Sequence, residues 1–493
     1  MTSFATVVKG LATDVCLPGG AGPFPAVLIR TPYDRTRHLA QGRGWARRGF
    51  AAVVQDVRGR FASAGEWRPY ENEAADGAVT ARWIRRQPWN DGRYVAVGAS
   101  YAAHCALVLA LEPEGGAEAR PDAVIAAVPA LGAADTAREP SGVERLLARA
   151  GWWAAHGDRG DSEEDALGRA LAGDPGLLAH LPLTGLPGRL GRALPSWAGL
   201  WQRRERGRLV CRAVRAGVPL LAIGGHHDHF TEDTLALWRA WGGPSARLLL
   251  GPWAHGLVAS PGPDAGPAHR LVLGELYARW AQRALAGGLS PGRCGVFGLG
   301  GADLWLSADT EGEPRVQRVR LLHGAVFTAD PDRPVRSDDL DVPAGGIPDR
   351  CLLATPPLPR PVDAAGPVRC RLRAAADTPS ADWAVRLVAL APDGTAERLA
   401  LGVLRREEPA EGEFTVEMGR LARRLPAGTR LRLEIAGHHF PAHARNPHTG
   451  EDPVTAGRLL ASRRKVDPAS VTLTLHVLPS RPHPIDPAKE ILR

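Results

Sequence analysis

The segment of this chain best suited to nucleophilic chemistry is Gly98-Ala99-Ser100-Tyr101-Ala102. An apolar strand-like run, Tyr94 to Val97, precedes it, and a helix-like run, Tyr101 to Leu111, follows. Small residues two before and two after Ser100 permit the sharp turn that lifts a serine hydroxyl clear of a sheet. The N–H of Tyr101 is then free to face a developing oxyanion. The local motif alone fits equally well a serine in an ordinary strand–helix turn. A serine hydroxyl is a weak nucleophile, so a histidine must take its proton and an acid must hold that histidine. Asp228 follows the strand-like run Val218 to Ile223, in Gly224-Gly225-His226-His227-Asp228. His255 follows Leu248 to Leu250, in Gly251-Pro252-Trp253-Ala254-His255-Gly256. Serine, acid and histidine thus stand in the order of an α/β-hydrolase, each beyond a later strand.

Competing constellations are weaker. The literal G-x-S-x-G match, Gly288 to Gly292, follows a helical segment, and Pro291 has no N–H to give an oxyanion. His226, His227 and His229 around Asp228 are pocket candidates. Drawn as a metal site they lack helical spacing and a further ligand. Pro441 separates His439 from His443, and His104 reads as a core residue. Gly298-Leu299-Gly300-Gly301 has no following Lys-Ser/Thr and is not a phosphate loop. An acidic stretch (Asp158, Asp161, Glu163, Glu164, Asp165) either meets an ammonium group or is a solvated loop, the second being the commoner use of such composition. Trp152, Trp153, Trp197 and Trp201 either line an acyl pocket or glue a cap to the core, and Trp253 is a further pocket candidate.

The elements that must position these residues alternate strand and helix. Strands are expected at 25–30, 50–55, 94–97 and 123–128, with helices at 39–48, 76–86 and 101–111 between them. That alternation means a mostly parallel sheet with helices on both faces. From about 133 to 217 the chain is rich in Arg, Leu, Trp and Gly at helical spacing, which reads as a cap inserted over an active site. A strand at 219–223, a helix at 231–241, a strand at 247–250 and a helix at 268–286 restore the alternation. After 294, short alternating segments at 316–322, 368–374, 384–390, 430–435 and 471–477, separated by turns such as Pro392-Asp393-Gly394, read as a β-sandwich. The expected division is core 1–132, helical cap 133–217, core 218–293, jelly-roll-like β-sandwich 294–480 and a loosely held Pro-rich tail 481–493.

A chain of 493 residues, 44% of them hydrophobic, is too long for one ordinary core, and its charged fraction of 23% excludes wholesale disorder. The net charge of +8 is almost all arginine spread along the chain, without a block of five like charges, so nucleic acid is not the expected partner. Six scattered cysteines without a C-x-x-C motif fit reduced thiols in a cytoplasmic protein. Met1 to Lys9 has no signal-peptide pattern. The uncharged run Tyr94 to Leu111 carries Gly98, Ser100 and His104 and reads as buried, not membrane-spanning.

Several segments carry a family resemblance. Arg30-Thr31-Pro32-Tyr33-Asp34, the stretch Gln55 to Glu66 beginning Gln-Asp-Val-Arg-Gly-Arg, Gln87-Pro88-Trp89-Asn90-Asp91-Gly92, Gly251 to Gly256 and Arg445 to Gly450 resemble the cocaine esterase, X-prolyl dipeptidyl-peptidase and α-amino-acid ester hydrolase family. The resemblance spans nearly the whole chain and implies an α/β-hydrolase core, a helical cap and a jelly-roll-like sandwich. It further implies that the Tyr33 hydroxyl joins the Tyr101 N–H as oxyanion donor. Two departures stand out. Tyr101-Ala102-Ala103 replaces the family's Tyr-x-Gly, and His226-His227 replaces an aromatic pair, so a benzoyl-ester preference does not carry over. The expected function is hydrolysis of an ester or amide of a small acyl substrate through Ser100, His255 and Asp228 by way of an acyl-enzyme. The alternative is an acyltransferase passing the acyl group to an alcohol, amine or thiol; a non-catalytic binder is disfavoured by the intact set of residue types. No cofactor, metal, nucleic-acid or membrane partner is expected, and the oligomeric state stays open, a homodimer included.

Overall fold

The computed structural model describes residues 1–112, 116–342, 346–407, 411–479 and 482–493. Its centre is a ten-stranded sheet. The strands in chain order are β1 (Thr2–Val8), β2 (Leu11–Leu17), β3 (Phe24–Thr31), β4 (Ala51–Asp56), β5 (Asn90–Ala99), β6 (Ala123–Ala127), β7 (Leu220–Gly225), β8 (Ser245–Gly251), β9 (Gly292–Leu299) and β10 (Leu304–Ser307). In space they run β1-β2-β4-β3-β5-β6-β7-β8-β9-β10. Strands β3 to β9 pair in parallel, while β1 with β2, β2 with β4 and β9 with β10 are antiparallel.

The period of two explains how the sheet buries both faces. Leu28, Val53, Ala96, Leu220 and Leu248 face one apolar layer, where the helices Glu73–Arg85 and Tyr101–Leu111 lie. Their sequence neighbours Val27, Val54, Val97, Leu221 and Leu249 face the other, beside the helix Leu273–Leu285. Fully burying one such side chain is worth roughly 1.5–3 kcal/mol, so two covered faces hold the middle strands firmly. Every residue of Tyr101–Leu111 is buried, and no helix of the described residues is long and apolar enough to cross a membrane.

Between Ala133 and Ala213 the chain forms a set of helices, among them Leu146–His156, Ser196–Gln202 and Arg208–Ala213. Most of them share an apolar cluster of Leu146, Trp153, Leu186, Trp197 and Trp201, to which Phe440 and Val454 contribute from the C-terminal region, while Leu209 and Ala213 of the last helix pack into the core of the central sheet. That region is a β-sandwich of two antiparallel five-stranded sheets enclosing Leu353, Leu372, Val385, Leu433 and Leu473. The architecture is that of an α/β-hydrolase with a helical insertion and a C-terminal β-sandwich.

The structure departs from the sequence-based expectations in four places. The β1–β2 hairpin was not expected; its outer strand is mostly exposed and carries little apolar signal. Residues 294–307 belong to β9 and β10 of the central sheet, not to the sandwich. The run 316–322 is two strands, Glu313–Gln317 in one sheet and Arg320–His323 in the other, so the chain crosses between layers there. The tail is docked: Asp486 caps the helix Pro487–Leu492, and Ile491 and Leu492 are buried against the central sheet's helices. Arg247 donates to the carbonyl oxygens of Ser290, Gly292 and Arg493, tying that end down. The expected boundary at 480/481 lies outside the described residues.

Candidate active site

Ser100 sits where β5 gives way to the helix Tyr101–Leu111, with φ 55° and ψ −120°. A non-glycine residue in that region is strained and persists only when its surroundings hold it. Ser100 N–H donates to Ala127 O at 2.9 Å, and Ser100 O accepts from Ala103, His104 and Ala130. Gly98 makes the turn sterically feasible: a Cβ there would lie 2.1 Å from the Ala102 carbonyl. The first N–H groups of a helix have no carbonyl one turn back, which leaves the Tyr101 N–H for a ligand. The Tyr101 ring points away into the core, where its hydroxyl donates to Glu73 and accepts from the Tyr70 N–H at 2.6 Å. Burial pushes the Glu73 carboxyl up, against the pull of that hydrogen bond.

Asp228 and His255 lie in the loops after β7 and β8. His226 N–H donates to Gly251 O at 2.8 Å and His227 N–H to Trp253 O at 2.9 Å, stapling the two loops side by side. Gly225 permits this approach, since a Cβ there would lie 2.1 Å from Trp253 O. Asp228 Oδ1 and His255 Nδ1 are 2.9 Å apart. The acid's side chain is fully buried, whereas the imidazole is 41% exposed. His229 approaches the same Asp228 oxygen at 3.3 Å and stacks on His255 with ring centroids 5.2 Å apart. These three residues also form a possible ligand cluster, but one exposed histidine beside an already paired acid makes a poor closed metal cage. Among the described residues no hydrogen bond joins Ser100 to His255; bonds between catalytic groups are often long without substrate.

Tyr33 is the third component. Its hydroxyl contacts the Ser100 side chain and accepts from Trp152 Nε1 at 3.1 Å. Burial pushes the phenol up, and the bonds from Trp152 and Ser100 pull it back, so it remains a protonated donor. The segments around it explain its placement. Arg60 donates to Pro32 O at 2.8 Å and to Ser162 Oγ at 2.6 Å, joining the Tyr33 loop to the cap. Asp56 accepts from the Arg35 N–H at 2.7 Å and from its guanidinium at 2.8 Å. Trp152 stacks on the Tyr101 ring, 5.9 Å away and 8° from parallel.

The other expected pocket residues are engaged elsewhere. Trp253 is 1% exposed, donates to His269 O at 3.1 Å and packs on Trp305, because its loop folds back onto the sheet. Trp153 donates to Ser196 Oγ at 2.9 Å inside the cap. His226 packs edge-on to Phe297, and His227 pairs with Asp264 at 2.6 Å. Trp152 and His229 are the candidates the fold brings to the serine and histidine. Three residues of the acidic cap stretch are paired, Asp161 and Glu163 with Arg159 and Glu164 with Arg37, while Asp158 accepts from Ser196. His104 is buried, as expected, and burial lowers it to about 4. It lines a cavity of about 530 Å³ between its helix and the cap, with Tyr70, Glu73, Asp135 and Arg208. Sequence reasoning missed Tyr70 and Arg149, which lie beside Tyr33 and Trp152. An arginine between Leu146, Ala150 and Trp153 on the apolar face of a helix was the available signal.

Residues 9–257 match the family model of the X-Pro dipeptidyl-peptidase (S15 family), and residues 347–483 match that of the X-Pro dipeptidyl-peptidase C-terminal non-catalytic domain. The chain is 27% identical to cocaine esterase of Rhodococcus sp. (strain MB1 Bresler) over 543 residues, covering 89% of this chain and 90% of that protein. In fold it resembles an α-amino acid ester hydrolase, with a TM-score of 0.77 at 18% identity, covering 97% of this chain and 96% of the other. An aminopeptidase from a marine sediment Thaumarchaeota archaeon gives a TM-score of 0.74 at 18% identity over the same shares. The chain belongs to the X-Pro dipeptidyl-peptidase (S15) family and is a serine hydrolase.

Proposed function

We propose that Ser100, His255 and Asp228 form a catalytic triad that cleaves an ester or amide of a small acyl substrate. Ser100 Oγ attacks the carbonyl carbon as His255 Nε2 takes its proton. Asp228, bonded to Nδ1, fixes the tautomer and stabilises the imidazolium. The carbonyl oxygen becomes an alkoxide held by the Tyr101 N–H and the Tyr33 hydroxyl. The imidazolium then protonates the leaving alcohol or amine, leaving an acyl-serine. Water, deprotonated by His255, releases the acid by the reverse steps. The observation that carries this reading is the strained Ser100 turn, its hydroxyl against the Tyr33 phenol, on the sheet edge that also holds the 2.9 Å Asp228–His255 pair. Water is taken as acceptor because the relatives are named as an esterase and an ester hydrolase.

The test pairs turnover of para-nitrophenyl esters with labelling by a fluorophosphonate probe. Wild-type protein should hydrolyse the esters and take the label. Ser100→Ala should lose the label and fall by about 10⁵-fold or more in kcat. Turnover or labelling retained by Ser100→Ala refutes the assignment.

A further inference from the structure

Arg149, on the cap helix Leu146–His156, is 4% exposed, and its Nε and Nη1 have no hydrogen-bond partner. The charged or ionisable groups that face it are the phenols of Tyr70 and Tyr33, the guanidinium of Arg145 and the ring of His229. Among the described residues no carboxylate forms an ion pair or hydrogen bond with Arg149. The neighbouring carboxylate Glu139 is taken up by Arg145 at 2.7 Å. Several other buried arginines are compensated, although Arg464, with the same two nitrogens unpartnered and no ion pair among the described residues, meets only the His448 ring and the face of Trp383. Arg386 meets Glu434 at 2.5 Å, Arg405 meets both Glu144 and Asp382, and Arg60 is surrounded by backbone and serine oxygens. An uncompensated buried charge is destabilising, and such a group is normally paired. Here the unpaired cation stands next to the candidate oxyanion tyrosine. Its guanidinium carbon is 5.9 Å from the Trp152 ring, and Trp152 in turn donates to Tyr33.

We infer that the missing counter-ion is supplied by the substrate, which carries a carboxylate bound by Arg149. This rests on the serine-hydrolase site proposed above and names its substrate class. The Tyr70 hydroxyl, the polar contact that Arg149 does have, is neutral. Exchanging it for a charged, bidentate acceptor strengthens the hydrogen bonding and neutralises the cation. Tyr70 and Trp152 beside it are only partly buried, which marks the side from which a carboxylate would approach.

The test compares kcat/KM for matched anionic and neutral esters. One arm places the charge on the acyl group: the para-nitrophenyl monoester of glutaric acid against para-nitrophenyl butyrate. The other places it on the leaving group: para-butyryloxybenzoate against its methyl ester. Wild type should prefer the anionic member in one arm by about tenfold or more, and that arm locates the carboxylate. Arg149→Met should reduce the anionic-to-neutral ratio by a similar factor, and Arg149→Lys should keep part of it. Should Arg149→Met fail to fold, the wild-type ratio and the Lys variant still decide. Free glutarate or benzoate, whichever matches the preferred arm, should inhibit wild type competitively. No preference in either arm of the wild type, or a ratio unchanged by Arg149→Met, overturns the inference. Loss of this inference alone leaves turnover dependent on Ser100; turnover independent of Ser100 overturns the underlying site instead.

Discussion

Replacing Tyr33 by Phe deletes one oxygen and keeps the ring that packs edge-on to His156 at 5.0 Å. In the resting site that oxygen accepts from Trp152 at 3.1 Å and contacts Ser100. Accepting a hydrogen bond polarises the phenol and makes its own proton a better donor to a developing alkoxide. Removing one such donor typically costs about 3 kcal/mol of transition-state stabilisation, or roughly 100-fold in kcat. The Tyr101 N–H remains, so catalysis should weaken and not vanish. The ground-state cost is smaller. Losing the Trp152 bond at a half-buried position is worth about 1 kcal/mol of folding stability. Steady-state kinetics on para-nitrophenyl esters, with thermal unfolding to confirm the fold, separates the two effects. The expected result is a roughly 100-fold drop in kcat with KM moved by less than about threefold. A folded Tyr33→Phe enzyme whose kcat falls less than about threefold refutes the role. So does one whose loss is confined to KM, because that signature belongs to uniform binding.

Asp228→Asn should leave the loops in place through their backbone staples and lower kcat by about 10³- to 10⁴-fold, since the amide favours the wrong imidazole tautomer; the same kinetics check it. His104 is held near 4 by burial, against about 6.5 in an unfolded chain, so the unfolded state binds the proton first. Its contribution is complete at high pH and is lost as pH falls from about 6.5 towards 4, amounting to about 2 kcal/mol between about pH 7 and 5. Urea unfolding of wild type and His104→Leu at those two pH values should show a smaller acid loss in the variant; equal slopes count against it. Ile491→Ala, in the docked tail, should cost about 3 kcal/mol by leaving a cavity against the sheet. A change within about 0.5 kcal/mol in chemical denaturation would mean the tail is not held in solution.

Much of the candidate site was legible because its parts are local. The strand, the small residues and the helix around Ser100 are contiguous, and the loop residues Asp228 and His255 each follow an apolar run that only a buried strand explains. Periodicity likewise separated the parallel core from the alternating sandwich. It failed where burial is one-sided or the partner is distant. Strands β9 and β10 carry no clear periodicity of their own, and only the pairing of β9 with β8 and of β10 with β9 assigns them to the core. The tail reads as a Pro-rich end, yet apolar residues near its terminus, the Asp486 cap and a bond from Arg247 dock it.

The side chains around the serine divide along the same line. Four pocket candidates, Trp153, Trp253, His226 and His227, were named for residue type near a motif, and each packs on or bonds to a residue outside that motif: Ser196, His269, Phe297 and Asp264. The unpaired state of Arg149 has no sequence signature beyond a charge on an apolar helix face, since it depends on what every neighbouring element fails to supply. The order of residues along the chain by itself determined the reaction-bearing types and the elements that present them, because those follow from short-range sterics and apolar periodicity. Which side chains meet, and which charge is left without a partner, was decided by tertiary packing, where contacts join residues a hundred or more positions apart.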